Sequence, residues 1–338
     1  RCCLFLLKGW ENFQPITPFG PTIESPSKER LELFKSTKNP GNIEENLFLP
    51  DFPQNLLQLN ERRTPWIVGV NSMPGYCSKV AGFKENASYT QLLNTHWDQI
   101  APMLFHYGDT SNSPLVINGK VREFYFYNEN IDLHNLNQLY TAISDHVYFE
   151  CVKKSALSYG ATGYPVFLYY FEYRRVNFNQ VPVINGVTHM SELQYFFKLN
   201  HKFGLQISGK SRSVGFSKAI IRLWTSFAKF GYPKETWPRE DNWNPLSENQ
   251  VRKKVPLKWY RIDADLASIR EPFYARLHFW SKLPTNGKLE KAQDERWNQR
   301  RKDIQVGLEP VTTSMQLILI PSLILTSHLP LFLFFFFV

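Results

Sequence analysis

Cysteine is scarce in this chain and none of it is placed to form a framework. Cys2, Cys3, Cys77 and Cys151 are the only four in 338 residues. No C-x-x-C pairs them and no histidine stands at zinc-finger spacing, which argues against a structural metal. Adjacent Cys2 and Cys3 are poorly placed to bridge each other, and four cysteines do not make a disulfide scaffold at this size. The redox compartment is left open. A concentrated basic tract is also missing. Lys+Arg number 39 against 30 Asp+Glu, a formal net charge of +9, but the basic residues are spread along the chain, so no nucleic-acid partner is expected. No repeat of fixed period is visible. Residues 11–60 lack room for a long regular element, because Pro15, Pro18, Pro21, Pro26, Pro40, Pro50 and Pro53 interrupt them; they read as surface connections with one short helix over 29–35. Beyond Glu309 there is no Asp, Glu, Lys or Arg.

What is present is apolar and aromatic mass. With 43% hydrophobic and 15% aromatic residues, the chain can bury a core for one large domain or two ordinary ones. Trp66–Val70 is a continuous apolar run after Pro65, and Val166–Phe171 a second after Pro165. Both read as strands buried on two faces, the pattern of a mainly parallel sheet. Leu92, Leu93, Trp97, Ile100 and Leu104 recur at helical spacing within 89–105, as do Leu136, Leu139, Ile143 and Val147, with Gly160 as an end signal. Ile220, Leu223, Trp224 and Phe227 form a helix face that stops at Gly231 and Pro233, and Pro272 opens a last core helix with Phe273, Leu277 and Trp280. Residues 288–302 read as a solvated charged helix. Helices alternating with strands predict an α/β fold.

The chain starts at Arg1 without a methionine, and its Leu4–Leu7 run is too short for a signal-peptide core, so it reads as a fragment or a processed piece. The other end, Leu317–Val338, is a 22-residue apolar tail, long enough to span a bilayer, which needs about 20 residues. Pro321 and Pro330 interrupt it, and no polar spacer of a lipid-anchor signal precedes it. It reads either as membrane attachment or as an artefactual extension. Asn86-Ala87-Ser88 is an N-glycosylation sequon and points to an extracytoplasmic route, whereas Arg300, Arg301 and Lys302 before a spanning tail would hold the body on the cytoplasmic side.

Several segments, taken in order, resemble the type-B carboxylesterase and cholinesterase family, insect members in particular. They are Pro18–Glu24, Phe48–Asp51, Pro65–Ser72, Ser144-Asp145-His146, the strand around Tyr169 and Tyr170, the loop Gly186–Leu193, Trp224–Ala228 with Gly231 and Pro233, and Phe279-Trp280. The ordered set is far more specific than any one motif. The resemblance covers about residues 11–283 and implies the C-terminal part of an α/β-hydrolase fold with an incomplete, mainly parallel central sheet. It assigns 11–306 to that domain, with residues 1–10 unassigned and 307–338 as the apolar tail.

The family reaction is hydrolysis of carboxylic esters through an acyl-serine, without metal or organic cofactor. That chemistry needs a serine made nucleophilic by an imidazole, a carboxylate on the other ring nitrogen, and backbone donors for the oxyanion. The resemblance places the general base at His189. The family's acidic residue before a glycine aligns with Pro74-Gly75, and proline has no side-chain acceptor for an imidazole N–H. No G-x-S-x-G occurs in the sequence; the family's nucleophile would lie before Arg1. The nearest look-alike, Gly215-Phe216-Ser217-Lys218-Ala219, follows the histidine with no strand before it, against the Ser, acid, His order of the fold. Glu85 lies later in a polar loop, and Glu192 resembles a structural position.

The chain is therefore expected to be inactive alone. Its expected partner is a small-molecule ester or apolar ligand, with 317–338 as its route to a membrane, no nucleic acid and no defined oligomer. The alternative is a non-catalytic cholinesterase-like adhesion or ligand-binding protein. Family habit favours an extracellular location. If the early strands are lost, the strands near Ile67 and Leu168 are expected to present an unpaired edge and to promote aggregation.

Overall fold

A computed structural model of the chain describes residues 49–59, 64–76, 87–174, 186–198, 212–234, 242–253 and 255–288, most of 290–298, and positions 23 and 83. The 29–35 helix, Glu85, the sequon's Asn86, Cys2, Cys3, Cys77 and the apolar tail lie outside these residues. Among the described residues no helix is long and apolar enough to cross a membrane.

Four strands form one sheet in the order β1 (Trp66–Asn71), β2 (Val166–Phe171), β3 (Lys258–Ile262), β4 (Leu266–Arg270). The first three are parallel, and β4 returns antiparallel to β3 through a tight turn. Pairing of β1 with β2 runs in register from Trp66↔Val166 to Asn71↔Phe171. Gly69 permits this: a Cβ there would stand 2.3 Å from the Tyr169 ring, so a side chain would force the strands apart.

Successive side chains of a strand point to opposite faces, and β2 uses both. Phe167 and Phe171 pack with Phe216, Ile220 and Leu223 of a long helix, Arg212–Phe230, together with Trp243. Trp243 also donates its indole N–H to the Leu168 carbonyl at 3.1 Å. Val166, Leu168 and Tyr170 face Phe149, Val152, Ala156 and Leu277 on the other side. The result is a three-layer α/β architecture, as the alternation of helix and strand predicts.

Three expectations need correction. The proline-rich stretch 11–60 carries a helix not expected there, Pro53–Leu59, which begins at the last of its prolines. Leu168 does not lie at an edge: the β3–β4 hairpin, which the sequence reading had not identified, pairs with β2 on the side away from β1. The helix expected over 89–105 is two helices, Ala87–Thr95 and Trp97–Leu104. They part at His96, whose φ of −115° and ψ of 31° are not helical.

The second expected helix, from Leu136 to Gly160, is continuous but not uniform. It runs as Leu136–Ile143, a π-helical segment Ser144–Glu150, and Cys151–Gly160. Hydrogen bonds spanning five residues in the middle turn Ser144, Asp145, His146, Phe149 and Glu150 inward together. Asp145 is fully buried. It accepts from Arg276 Nε at 2.7 Å and Nη2 at 3.1 Å and from the Tyr125 hydroxyl at 2.7 Å. Trp280 in turn donates to Tyr125 at 2.8 Å. Burial raises the Asp145 carboxyl above its usual range, against the pull of Arg276 and Tyr125. The same burial, with Asp145 beside it, pushes the Tyr125 hydroxyl up.

Removing one partner of a buried pair strands the other charge, which costs about 3–5 kcal/mol. Arg276→Met is therefore expected to lower the unfolding free energy by about 3 kcal/mol in urea denaturation followed by tryptophan fluorescence. A change under about 0.5 kcal/mol, the scale of an ordinary surface substitution, would show that Arg276 does not support Asp145.

Candidate active site

The two segments singled out in the sequence meet at the carboxyl ends of β1 and β2. In open α/β sheets, crevices that bind ligands form beyond these strand ends. After Asn71 the chain turns through Ser72, Met73, Pro74 and Gly75; after β2 it returns to the same place as Gly186–Glu192. The Met73 N–H donates to the Val187 carbonyl at 2.8 Å, and the Val187 N–H donates to the Ser72 hydroxyl at 2.7 Å. Gly186 allows this approach, since a Cβ there would lie 2.4 Å from Met73 Cβ. His189 is thereby brought into the neighbourhood of the turn that carries Pro74.

Pro74 and Gly75 are buried. The turn is pressed on the π-helical segment: Gly75 N–H donates to Ser144 Oγ at 2.9 Å, and a Cβ on Gly75 would meet the Tyr140 carbonyl at 2.3 Å. The same segment reaches His189, whose ring lies 5.0 Å from that of Tyr148 at an interplanar angle of 51°. Ser144 and Tyr148 are four residues apart on one element, so a single stretch of helix supports both halves of the site.

The loop itself is held from β1. The Asn71 side-chain amide donates to the Thr188 carbonyl at 2.6 Å and to the Glu192 carboxylate. Thr188 and Ser191 share a hydroxyl contact at 2.6 Å, and Gln194 donates to the Ser191 carbonyl at 2.7 Å. The aromatic run Tyr195-Phe196-Phe197 reads in sequence as the start of an apolar helix; among the described residues one turn, Leu193–Phe196, directly follows the loop. Phe197 adopts an extended conformation, with φ −127° and ψ 148°, and ends it. Burial raises the Glu192 carboxyl above its usual range, with the Asn71 donor pulling the other way. Tyr169, half-buried nearby, is pushed up by desolvation and by the Glu192 charge.

Ser217 is not at a strand-to-helix elbow. It lies inside the Arg212–Phe230 helix rather than at its start, and its hydroxyl donates to the Tyr195 carbonyl. The structure thus brings together His189, Pro74 and Glu192 and leaves Ser217 in a packing role. Sequence reasoning missed Asn71 and Tyr148. Asn71 stood inside a matched segment, but a polar residue at a strand end is ordinary. Among the described residues no three His, Cys, Asp or Glu side chains gather as a metal site.

Parallel strands with helices on both faces, and loops converging past consecutive strand ends, define an α/β protein of the kind that hosts hydrolytic sites. The chain belongs to the carboxylesterase family, whose model matches residues 8–280. Among its relatives is venom carboxylesterase-6 of Apis mellifera, 25% identical over 288 residues, which cover 81% of this chain and 46% of that protein. Esterase E4 of Myzus persicae is 26% identical over 257 residues, 71% of this chain and 40% of the esterase. The cholinesterase of Mus musculus is 25% identical over 297 residues, 80% of this chain and 45% of the enzyme. The chain spans about half the length of the curated relatives it matches.

The raised Glu192 carboxyl carries a pH signature. A group whose pKa is higher folded than unfolded stabilises the fold below its unfolded pKa, and that contribution is lost as pH rises through the folded one. At neutral pH the ionised Glu192 is therefore a net burden. Glu192→Gln keeps an acceptor for Asn71 without the charge, and is expected to raise the urea midpoint at pH 7.5. The midpoints of the two proteins should converge on acidification through the carboxylate range. A constant offset between them at every pH would refute this origin.

Proposed function

We propose that the chain corresponds to the C-terminal part of a carboxylesterase-like hydrolase, with residues 11–306 in that domain and His189 in the position of the family's general base. The observation that carries this reading is the convergence of the Pro74 turn and the His189 loop at adjacent parallel strand ends, where Met73 and Val187 bond backbone to backbone. Hydrolysis of carboxylic esters through an acyl-serine is the reaction of the site to which His189 would belong, and small esters are its substrate class. The family names of the insect relatives support this.

Alone, the chain is proposed to be inactive. Its 338 residues contain no G-x-S-x-G, and the acid position holds Pro74. Loss of the orienting carboxylate in a serine triad lowers turnover about 10⁴-fold, roughly 5 kcal/mol of transition-state stabilisation. Loss of the serine lowers it by about 10⁶. Supplying a nucleophile would leave the first defect in place. An extracellular setting fits the venom esterase relative and the Asn86-Ala87-Ser88 sequon, with 317–338 as the proposed membrane route if the body is attached.

Pro74 also favours a second reading, a non-catalytic ligand-binding or adhesion protein. A turn with buried Pro74 and Gly75 and no carboxylate is compatible with holding an ester or apolar molecule, not with turning it over.

Purified chain is expected to hydrolyse p-nitrophenyl butyrate no faster than buffer with an equal amount of His189→Ala protein. Steady cleavage that disappears in His189→Ala would overturn the proposal of inactivity. Saturable quenching of tryptophan fluorescence by the same ester without p-nitrophenol release would favour the second reading.

A further inference from the structure

The backbone at the candidate base is held in a costly conformation. Met190, directly after His189, has φ +67°, a left-handed conformation that non-glycine residues adopt rarely and at a cost. Such a residue persists only where its surroundings over-determine it. The residues on either side show how. Thr188 precedes the histidine and Glu192 follows it by three, and one side chain, Asn71, bonds to both.

We propose that Asn71 is the positioning residue of His189. Its amide staples the loop to the end of β1 on both sides of the histidine and holds Met190 in its left-handed turn. The inference rests on the reading of His189 as the family's general base.

Three features make this staple specific to an amide. Both acceptors are oxygens, one of a main-chain carbonyl and one of a carboxyl group, and the Nδ2 group of an amide supplies two N–H bonds on one atom to meet them. The Thr188 carbonyl fixes the amide's orientation, because the flipped amide would set oxygen against oxygen. Finally, the Asn71 oxygen is buried with no hydrogen-bond partner among the described residues, a cost of about 1–3 kcal/mol that a smaller or apolar side chain would avoid. The position therefore retains a group that is expensive on one side and bonded twice on the other.

An aspartate at 71 would match Asn71 in shape but face two acceptors. The staple is independent of Pro74, since it acts through the backbone of the loop and not through the imidazole. Ser72 and Met73 tie down the entry of the loop, at Val187, whereas Asn71 reaches past it to Thr188 and Glu192, beside the loop's own Thr188–Ser191 contact and the Tyr148 ring.

The test uses the purified chain and two readouts that need no substrate: hydrogen–deuterium exchange of peptides covering 187–194, and carbethoxylation of His189 by diethyl pyrocarbonate. Exposed His278 serves as the internal reference. Asn71→Ala is expected to raise both loop exchange and the His189/His278 modification ratio about tenfold, the population change that loss of two hydrogen bonds to strong acceptors produces. Exchange in 166–171 should remain unchanged. Glu192→Gln, which still accepts from Asn71, should stay within about twofold of the parent, inside the usual spread for a retained bond. Should Asn71→Ala not fold, Glu192→Leu removes the second acceptor and is read in the same way. A His189/His278 ratio unchanged by the loss of either partner would overturn the proposal, as would a Glu192→Gln chain as loose as Asn71→Ala. Ester turnover by the chain would sink the reading of inactivity and leave these outcomes untouched, so the two failures are distinguishable.

Discussion

A carboxylate carried into an apolar interior needs donors around it before any neighbouring element can settle. Asp145 is that carboxylate here. Its ligands come from two separate helices, Tyr125 from Pro114–Phe126 and Arg276 from Tyr274–Ser281, so satisfying one side chain joins three helices at a point. The His146 ring stacks on Trp280 at 4.1 Å beside it and closes the junction with an apolar face. The π-helical segment fixed in this way then supports both the turn after β1 and the histidine loop, through Ser144 and Tyr148. The site is held from behind by a charge pair that takes no part in it.

From the front, the sheet does the rest. Parallel pairing places the carboxyl ends of β1 and β2 side by side, and the close approach at Gly69 and Gly186 lets the two following loops join without spacing side chains between them. The loop carrying His189 is then confined by strand, helix and a local left-handed turn together. On the proposed reading of His189 as the family's base, this confinement keeps the base in place, while Pro74 offers no side-chain acceptor for its ring.

The sequence made β2 plain, because six apolar residues after Pro165 fit no alternative at that length. The order of segments also made the meeting of the His189 loop and the Pro74 turn expected, and the family match supports the resemblance on which that order rested. The β3–β4 hairpin was hidden because Lys258-Trp259-Tyr260-Arg261-Ile262 interleaves charge with core residues and turns through Asp263 and Asp265, the latter paired to Arg261. The Pro114–Phe126 helix was hidden for another reason: exposed Leu115 and Val116 and buried Asn118 blur the apolar stripe that Ile117, Val121 and Tyr125 form. Asn118 is satisfied by Tyr107 and Asp98, partners that are distant from its own turn of helix. Periodicity of 3.6 carried the reading through Leu136, Leu139 and Ile143 to Val147, which still packs on that core though half-buried, but it gave no sign that the turn from Ser144 to Glu150 is wider.

That wider turn bears on how the family can vary by insertion and deletion. An ordinary helix advances each residue by about 100° around its axis, so a change of one residue in length inside Ser144–Glu150 would rotate everything after it by roughly that much. Val152 and Ala156 would leave the sheet, and Tyr148 would leave His189. The π-helical segment absorbs a residue's worth of chain while keeping both faces in register. Length changes between Leu136 and Gly160 should therefore be tolerated far less than substitutions, although the segment is remote from any chemistry the strand ends could perform.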